Sequence, residues 1–228
     1  MLTINNLTVS YGKKTVLSNL CFEAMSGMIH GIVGYNGAGK TTLLNAIYGV
    51  PRKYEAIQMN ESVLSRSSVA YLESEQFFYP NISGRDYLNL FISKNPSFDY
   101  ESICKMFNVP IDNFVDAYSS GMKKKLAIIA ILSLDKDIIL MDEPFNGLDL
   151  ESVYILQMAL KKVASAGKII IVTSHIMESL SPICDTISVL DDGKIDNTYY
   201  PKDFSSLQEQ MRGKFESKFG SAIEFVFK

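Results

Sequence analysis

The sequence predicts an α/β fold, a mostly parallel sheet covered by helices on both faces, with a smaller β unit ahead of it. Three observations point there. Short apolar runs at Met28–Val33, Ile138–Met141 and Lys168–Thr173 alternate with stretches of helical spacing, and strands that are apolar on both faces are buried on both. The first thirty residues instead alternate apolar and polar (LTINNLTV, then TVLSNLCFEA) around YGKK, the pattern of strands joined by a turn. A glycine-rich stretch, Gly34–Gly39, separates the run ending at Val33 from a helical stretch at Thr41–Tyr48.

The remaining elements follow in order. Residues 50–67 read as irregular and polar, and Ser68–Leu72 as a strand. From Ser83 to Phe107 the spacing of Tyr87, Leu88, Phe91 and Ile92 is helical, interrupted around Asn95 and Pro96. A helix is expected from Gly121 to Leu134, the strand Ile138–Met141, a helix over Leu150–Ala166, and the strand Lys168–Thr173. Ser174–Leu180 reads as a helix and Thr186–Leu190 as a strand. The tail, Pro201–Lys228, reads as a helix and a short strand whose packing the sequence leaves open.

With 228 residues, 47 % hydrophobic and 21 % charged, the chain can bury a core and is not of a disordered or collagen-like class. Its 22 Lys and Arg against 25 Asp and Glu give a net charge of −3, which lends no support to nucleic acid as a partner. Cys21, Cys104 and Cys184 are far apart and odd in number, which fits a reducing compartment. The longest apolar run near the middle, Leu126–Leu132, is far short of the ~20 residues a membrane helix needs. A cytoplasmic protein is the expectation.

The chemistry starts at Gly34-Tyr-Asn-Gly-Ala-Gly-Lys-Thr-Thr42, which matches G-x-x-x-x-G-K-[ST] between a strand and a helix. Glycines let the backbone fold round a phosphate with its N–H groups inward, and the helix N-terminus adds positive potential. Lys40 can reach the β- and γ-phosphates, and the Thr41 hydroxyl can hold Mg²⁺. In a chain this long the string arises by chance on the order of 1 % of the time, and the strand-loop-helix setting lowers that further. A nucleoside triphosphate site follows. Ile138-Ile-Leu-Met-Asp-Glu143 then delivers two carboxylates to the C-terminal edge of the sheet, where open parallel sheets bind ligands. Asp142 can hold Mg²⁺ through water, and Glu143 can act on the attacking water as general base.

With these elements in place the chain resembles the ATP-binding cassette (ABC) ATPases from about Leu2 to Gly193. Tyr118-Ser-Ser-Gly-Met122 stands where the family carries a signature like LSGGQ. Pro144-Phe-Asn-Gly-Leu-Asp149 resembles the family's D-loop, Thr173-Ser-His175 its switch histidine, and Tyr11 the aromatic residue that stacks on adenine. The resemblance implies a P-loop NTPase core with a mostly parallel sheet, an N-terminal antiparallel β subdomain and a small helical subdomain at about 77–120, all within one nucleotide-binding domain over 1–200. It implies ATP and Mg²⁺ as cofactors, with Glu143, His175 and Lys40 catalytic and Thr41 and Asp142 at the metal. The implied nucleotide contacts are Tyr11, Gly34, Asn36, Gly37, Ala38, Gly39, Lys40, Thr41, Thr42, Ser119, Ser120, Gly121 and Asp149. It also implies two cassettes closing head to tail on two ATP molecules, each bound by one chain's phosphate loop and the other's Ser119–Gly121.

Read from the residues alone, Lys123, Lys124 and Lys125 point three ways from a helix and form a solvated face, and His30 in its apolar strand is structural. Ser119 and Ser120 also suit a helix N-cap. The family's Gln after a strand like VAYL aligns with Ser74, with Gln76 two residues on. YSSGMKKKL looks most like cassettes serving drug, antibiotic-peptide or bacteriocin exporters. The function implied is the ATPase of a transporter, peripheral on the inner face of the membrane and docked on a separate transmembrane permease, with Phe77–Tyr79 either lining a groove for it or packed in the core. The alternatives are a soluble ABC ATPase, as in Fe–S assembly, and a poorly hydrolysing nucleotide-dependent regulator.

Overall fold

The computed structural model describes residues 1–51, 54–92 and 95–226. Three stretches read above (50–67, 83–107 and the tail) each include two residues, 52–53, 93–94 and 227–228, that lie outside the described residues.

Two sheets form the frame. Strands β1 (Leu2–Tyr11) and β2 (Lys14–Ala24) pair antiparallel, and β4 (Ile57–Met59) and β5 (Ser62–Val63) extend them to the order β2-β1-β4-β5. The second sheet contains β3 (Ile29–Val33), β6 (Val69–Leu72), β7 (Ile138–Asp142), β8 (Ile169–Ser174), β9 (Thr186–Asp191) and β10 (Lys194–Tyr199), in the order β10-β9-β3-β8-β7-β6. All its pairings are parallel except the β9–β10 hairpin at one edge.

Period-two alternation in wholly apolar strands fills both faces of this sheet. Ile139, Met141, Ile170 and Val172 pack on one side with the helices α2 (Gly84–Ile92), α3 (Tyr100–Met106), α4 (Ser120–Ser133) and α5 (Leu150–Ser165). Ile138, Leu140, Ile169 and Ile171 pack on the other side with α1 (Lys40–Tyr48) and the buried residues of the antiparallel sheet. A short α6 (Met177–Leu180) and a terminal α7 (Phe204–Val226) complete the chain. Among the described residues, no helix is long and apolar enough to cross a membrane.

Several local expectations are corrected. The stretch expected to be irregular holds β4 and β5, joined through Asn60 and Glu61 at φ 49° and 67°. Three- and two-residue strands are too short to show a period, and pairing with β1 defines them. The strand read as ending at Leu190 is followed by β10, across Asp192–Gly193 at φ 44° and 74°, the positive-φ pair of a tight hairpin. The helical run 83–107, by contrast, breaks around Asn95 and Pro96 as expected, into α2 and an α3 capped by Asp99, whose carboxylate accepts the Ser102 N–H at 3.0 Å. The helix read from Ser174 begins at Met177, since Ser174 completes β8 in register with Val33. The tail holds a 3₁₀ turn and α7, with no strand among its described residues, and its start is anchored by buried Phe204 and Leu207.

Candidate functional site

The loop between β3 and α1 bends because Gly37 and Gly39 take left-handed φ of 85° and 110°, conformations that cost a side chain dearly. Gly39 is also the N-cap of α1 and supplies no side-chain cap, so the first-turn amides keep their donors for an anion. Lys40, 6 % exposed, bends back over the loop and donates to the Gly34 carbonyl at 2.7 Å and the Tyr35 carbonyl at 3.3 Å. Its ammonium lies 3.6 Å from Glu143 Oε1. The loop opens into a cavity of about 480 Å³. Asn36, Gly37, Gly39, Lys40, Thr41 and Thr42 form its phosphate-loop wall, while Asp142 and Glu143 face them. Gly34 and Ala38 support the loop without lining the cavity: the Gly34 carbonyl holds Lys40, and Ala38 packs on the apolar core.

The carboxylates are fixed by hydroxyls. Thr41 Oγ1 donates to Asp142 Oδ2 at 2.6 Å, and buried Thr173 Oγ1 donates to Asp142 Oδ1 at 2.6 Å. Thr173 Oγ1 also accepts the Glu143 N–H at 3.2 Å, steadying Glu143 in its left-handed backbone (φ 49°). The Glu143 side chain turns to His175, its Oε2 lying 3.0 Å from His175 Nδ1 and 3.4 Å from Asn146 Nδ2. Strands β7 and β8 are parallel neighbours with Asp142 opposite Thr173, so the sheet register itself delivers Glu143 and His175 to one point.

The lysine run after the signature is not a solvated face. Lys124 and Lys125 are 6 % and 8 % exposed, because α4 is buried along most of its length against the sheet. Burial pushes the Lys124 ammonium below its ordinary pKa, opposed by the negative charges of Asp142 and Glu143. Lys125 donates to Asp149 Oδ2 at 2.6 Å. His30 is structural as expected, its ring bonded to Thr186 Oγ1 at 2.8 Å and the Met25 carbonyl at 3.1 Å.

Tyr11, half exposed at the β1–β2 turn, lines the far end of the cavity. Two lining residues escaped the sequence reading, Lys14 and Val16, whereas Ser74 was already aligned with the family's Gln position. Lys14 pairs directly with Tyr11 across the hairpin, a register that the YGKK turn already implied. Ser74 takes the wall position after β6, whereas Gln76 folds its amide back to donate to the Glu73 and Ser74 carbonyls at 2.7 and 3.1 Å.

Ser119, Ser120, Gly121 and Asp149 do not line this cavity. Ser119 caps α4, its Oγ accepting the Met122 N–H at 3.2 Å, and Asp149 caps α5 by accepting the Ser152 N–H at 2.8 Å. Of the aromatic run, Phe77 and Tyr79 are 72 % and 58 % exposed and pack edge to face on each other, while Phe78, Tyr87 and Phe91 stack inward.

Comparison with known proteins gives the family. The family described as "ABC transporter" matches residues 17–146. An ABC transporter ATP-binding protein of Methanocaldococcus jannaschii is 31 % identical over 201 residues, covering 84 % of this chain and 74 % of that one. A lantibiotic transport ATP-binding protein of Streptococcus pyogenes is 29 % identical over 206 residues, covering 86 % and 89 %. A solved ATP-binding subunit of an ABC transporter superposes with a TM-score of 0.81 at 25 % identity, covering 93 % and 95 %. A family match over more than half of the chain and a relative 31 % identical over most of both chains place it: the chain belongs to the ABC transporter family as one of its ATP-binding, ATP-hydrolysing subunits.

Proposed function

We propose that this chain powers export through a separate membrane-spanning subunit, by ATP-driven closure of two cassettes and hydrolysis-driven opening. The observation that carries it is an incomplete site. One wall holds everything needed for the phosphates, while the exposed serines of the signature, Ser119 and Ser120, lie outside that cavity at the end of α4. A second cassette, identical or different, brings its own Ser119–Gly121 equivalent to close each site. The chain then sits on the cytoplasmic face of the membrane through its permease, with residues 1–200 as the working domain. Resemblance of the signature run to antibiotic-peptide exporters, and similarity to a lantibiotic transport protein, favour export.

Hard oxygen donors at the cavity floor suit Mg²⁺. The Thr41 hydroxyl and the Asp142 carboxylate lie side by side, and such an ion takes one or two protein oxygens, waters and phosphate oxygens. When bound it neutralises charge on the β- and γ-phosphates. Lys40 leaves its carbonyl partners to meet the γ-phosphate, and Glu143 accepts the proton of the attacking water as it becomes a nucleophile. His175 orients Glu143 and the water from the next strand. A second reading, a slowly hydrolysing regulator, draws on the short Ser74 in place of glutamine.

The test is purification from detergent extract with co-eluting chains identified, together with turnover of the wild type and Glu143→Gln. A multi-span protein in the eluate and ATP trapped without turnover support the transporter reading. Normal turnover with only soluble partners overturns it, and a wild type with no turnover above Glu143→Gln favours the regulator.

A further inference from the structure

Lys125 is a buried charge that the hydrolytic reading leaves without a role. Its side chain is 10 % exposed, and its ammonium ends 2.6 Å from Asp149 Oδ2. Asp149 Oδ1 accepts the Ser152 N–H, so one carboxylate caps α5 and neutralises a cation of α4 at the same time. The Lys125 hydrogen bond, with the Ser152 bonds, holds the Asp149 carboxyl well below the usual carboxylate range. Close by, the same two segments touch through their backbones: a Cβ at Gly121 would stand 2.9 Å from the Gly147 carbonyl oxygen. Loop 144–149 also reaches Glu143 at its other end. The Asn146 N–H donates to the Glu143 carbonyl at 3.4 Å, and Asn146 Nδ2 to Glu143 Oε2 at 3.4 Å.

We propose that Lys125 is a positioning residue for hydrolysis, which clamps loop 144–149 to the first turns of α4 through Asp149 and so fixes the carboxylate of Glu143. The physical need is visible in the geometry. Glu143 sits in a left-handed backbone conformation that is costly for a residue with a side chain, and its bonds to the loop are long. The loop must therefore be held from elsewhere. An ammonium as buried as Lys125 is costly without its partner, so the helix and the loop move together. Whatever docks on the Ser119–Gly121 end of α4 is then transmitted to Glu143 through Gly147 and Asp149. The inference rests on Glu143 being the group that acts on water.

The experiment measures ATP turnover, ATP binding and amide exchange on Lys125→Met, Lys125→Arg, Asp149→Asn and the Lys125→Met/Asp149→Asn pair, using the full chain. Lys125→Met is expected to lower kcat by about tenfold with KM changed by less than about twofold, the signature of a misplaced group rather than lost binding. Lys125→Arg keeps the cation and restores at least about half of kcat, and the pair is no worse than Lys125→Met alone, because both changes break one link. Exchange at the Asn146 and Leu148 amides rises in Lys125→Met without nucleotide. Turnover of Lys125→Met within twofold of wild type, losses that multiply in the pair, or Lys125→Arg as impaired as Lys125→Met would each overturn the clamp. A loss of binding and thermal stability in parallel with kcat also overturns it, since that is a merely structural role. Turnover retained in Glu143→Gln removes the base assignment instead, and unchanged exchange in Lys125→Met then refutes the clamp independently.

Discussion

The N-termini of α1 and α4 both carry hydroxyl residues and glycines, yet they are finished in opposite ways. At α1 the cap is Gly39, which offers no side chain, and the helix's own Lys40 and Thr41 line one cavity with two carboxylates from the end of β7. At α4 the cap is Ser119, whose own hydroxyl takes up the Met122 N–H. The first end is prepared for an anion within one chain, because leaving donors unpaired is tolerable where a phosphate will pay the cost. The second is satisfied by itself, at about 1 kcal/mol of helix stability, and its serines do not line the cavity. The difference teaches that a motif becomes a site only where the fold brings other elements to it.

The sharpest way to break this comparison is at the α1 end. Glu143→Gln should reduce turnover by roughly 10²–10⁴-fold while ATP binding persists, measured by phosphate release and calorimetry. Lys40→Ala should lose binding as well, because it removes the cation beside Glu143 that the proposed mechanism assigns to the phosphates. A smaller effect is expected from Thr173→Val, which strips Asp142 Oδ1 and the Glu143 N–H of a buried partner at about 1–3 kcal/mol. Thr173→Ser should recover most of the melting temperature and turnover. At the α4 end, Ser119→Ala should cost about 1 kcal/mol of stability and leave ATP affinity of the single chain unchanged. It should abolish the rise of turnover with protein concentration; a fall in single-chain affinity would mean that both ends serve one cavity.

The smallest effect lies far from either end. Burial lowers the pKa of His30 below 6.5, so the unfolded chain takes up the proton first. The contribution of this group is complete above about pH 6.5 and is lost as pH falls toward the folded-state pKa. Melting temperature should therefore decline from pH 7 to 5, and His30→Gln should flatten that slope.

Both ends were legible in the residues to different depths. The phosphate loop and Asp142-Glu143 were readable because local spacing and a neighbouring apolar strand state their chemistry. Thr173 was readable as a strand end but not as the hydroxyl between two carboxylate positions, since that role depends on the pairing of β7 with β8. Lys124 and Lys125 were misread because consecutive residues on a helix point three ways, and only packing shows how many of those directions are covered. Ser74 and Gln76 differ by two positions in sequence, and the backbone turn after β6 selects which one faces the cavity.

By itself the sequence determined the α/β architecture and the ABC ATPase family, because apolar periodicity and a glycine-lysine loop act over a few residues. Tertiary structure alone decided the register that sets Thr173 against Asp142, the burial of Lys125 against Asp149, and the separation of Ser119 from the cavity it resembles. Those are long-range contacts, fixed by how strands order and helices dock, and no local pattern encodes them.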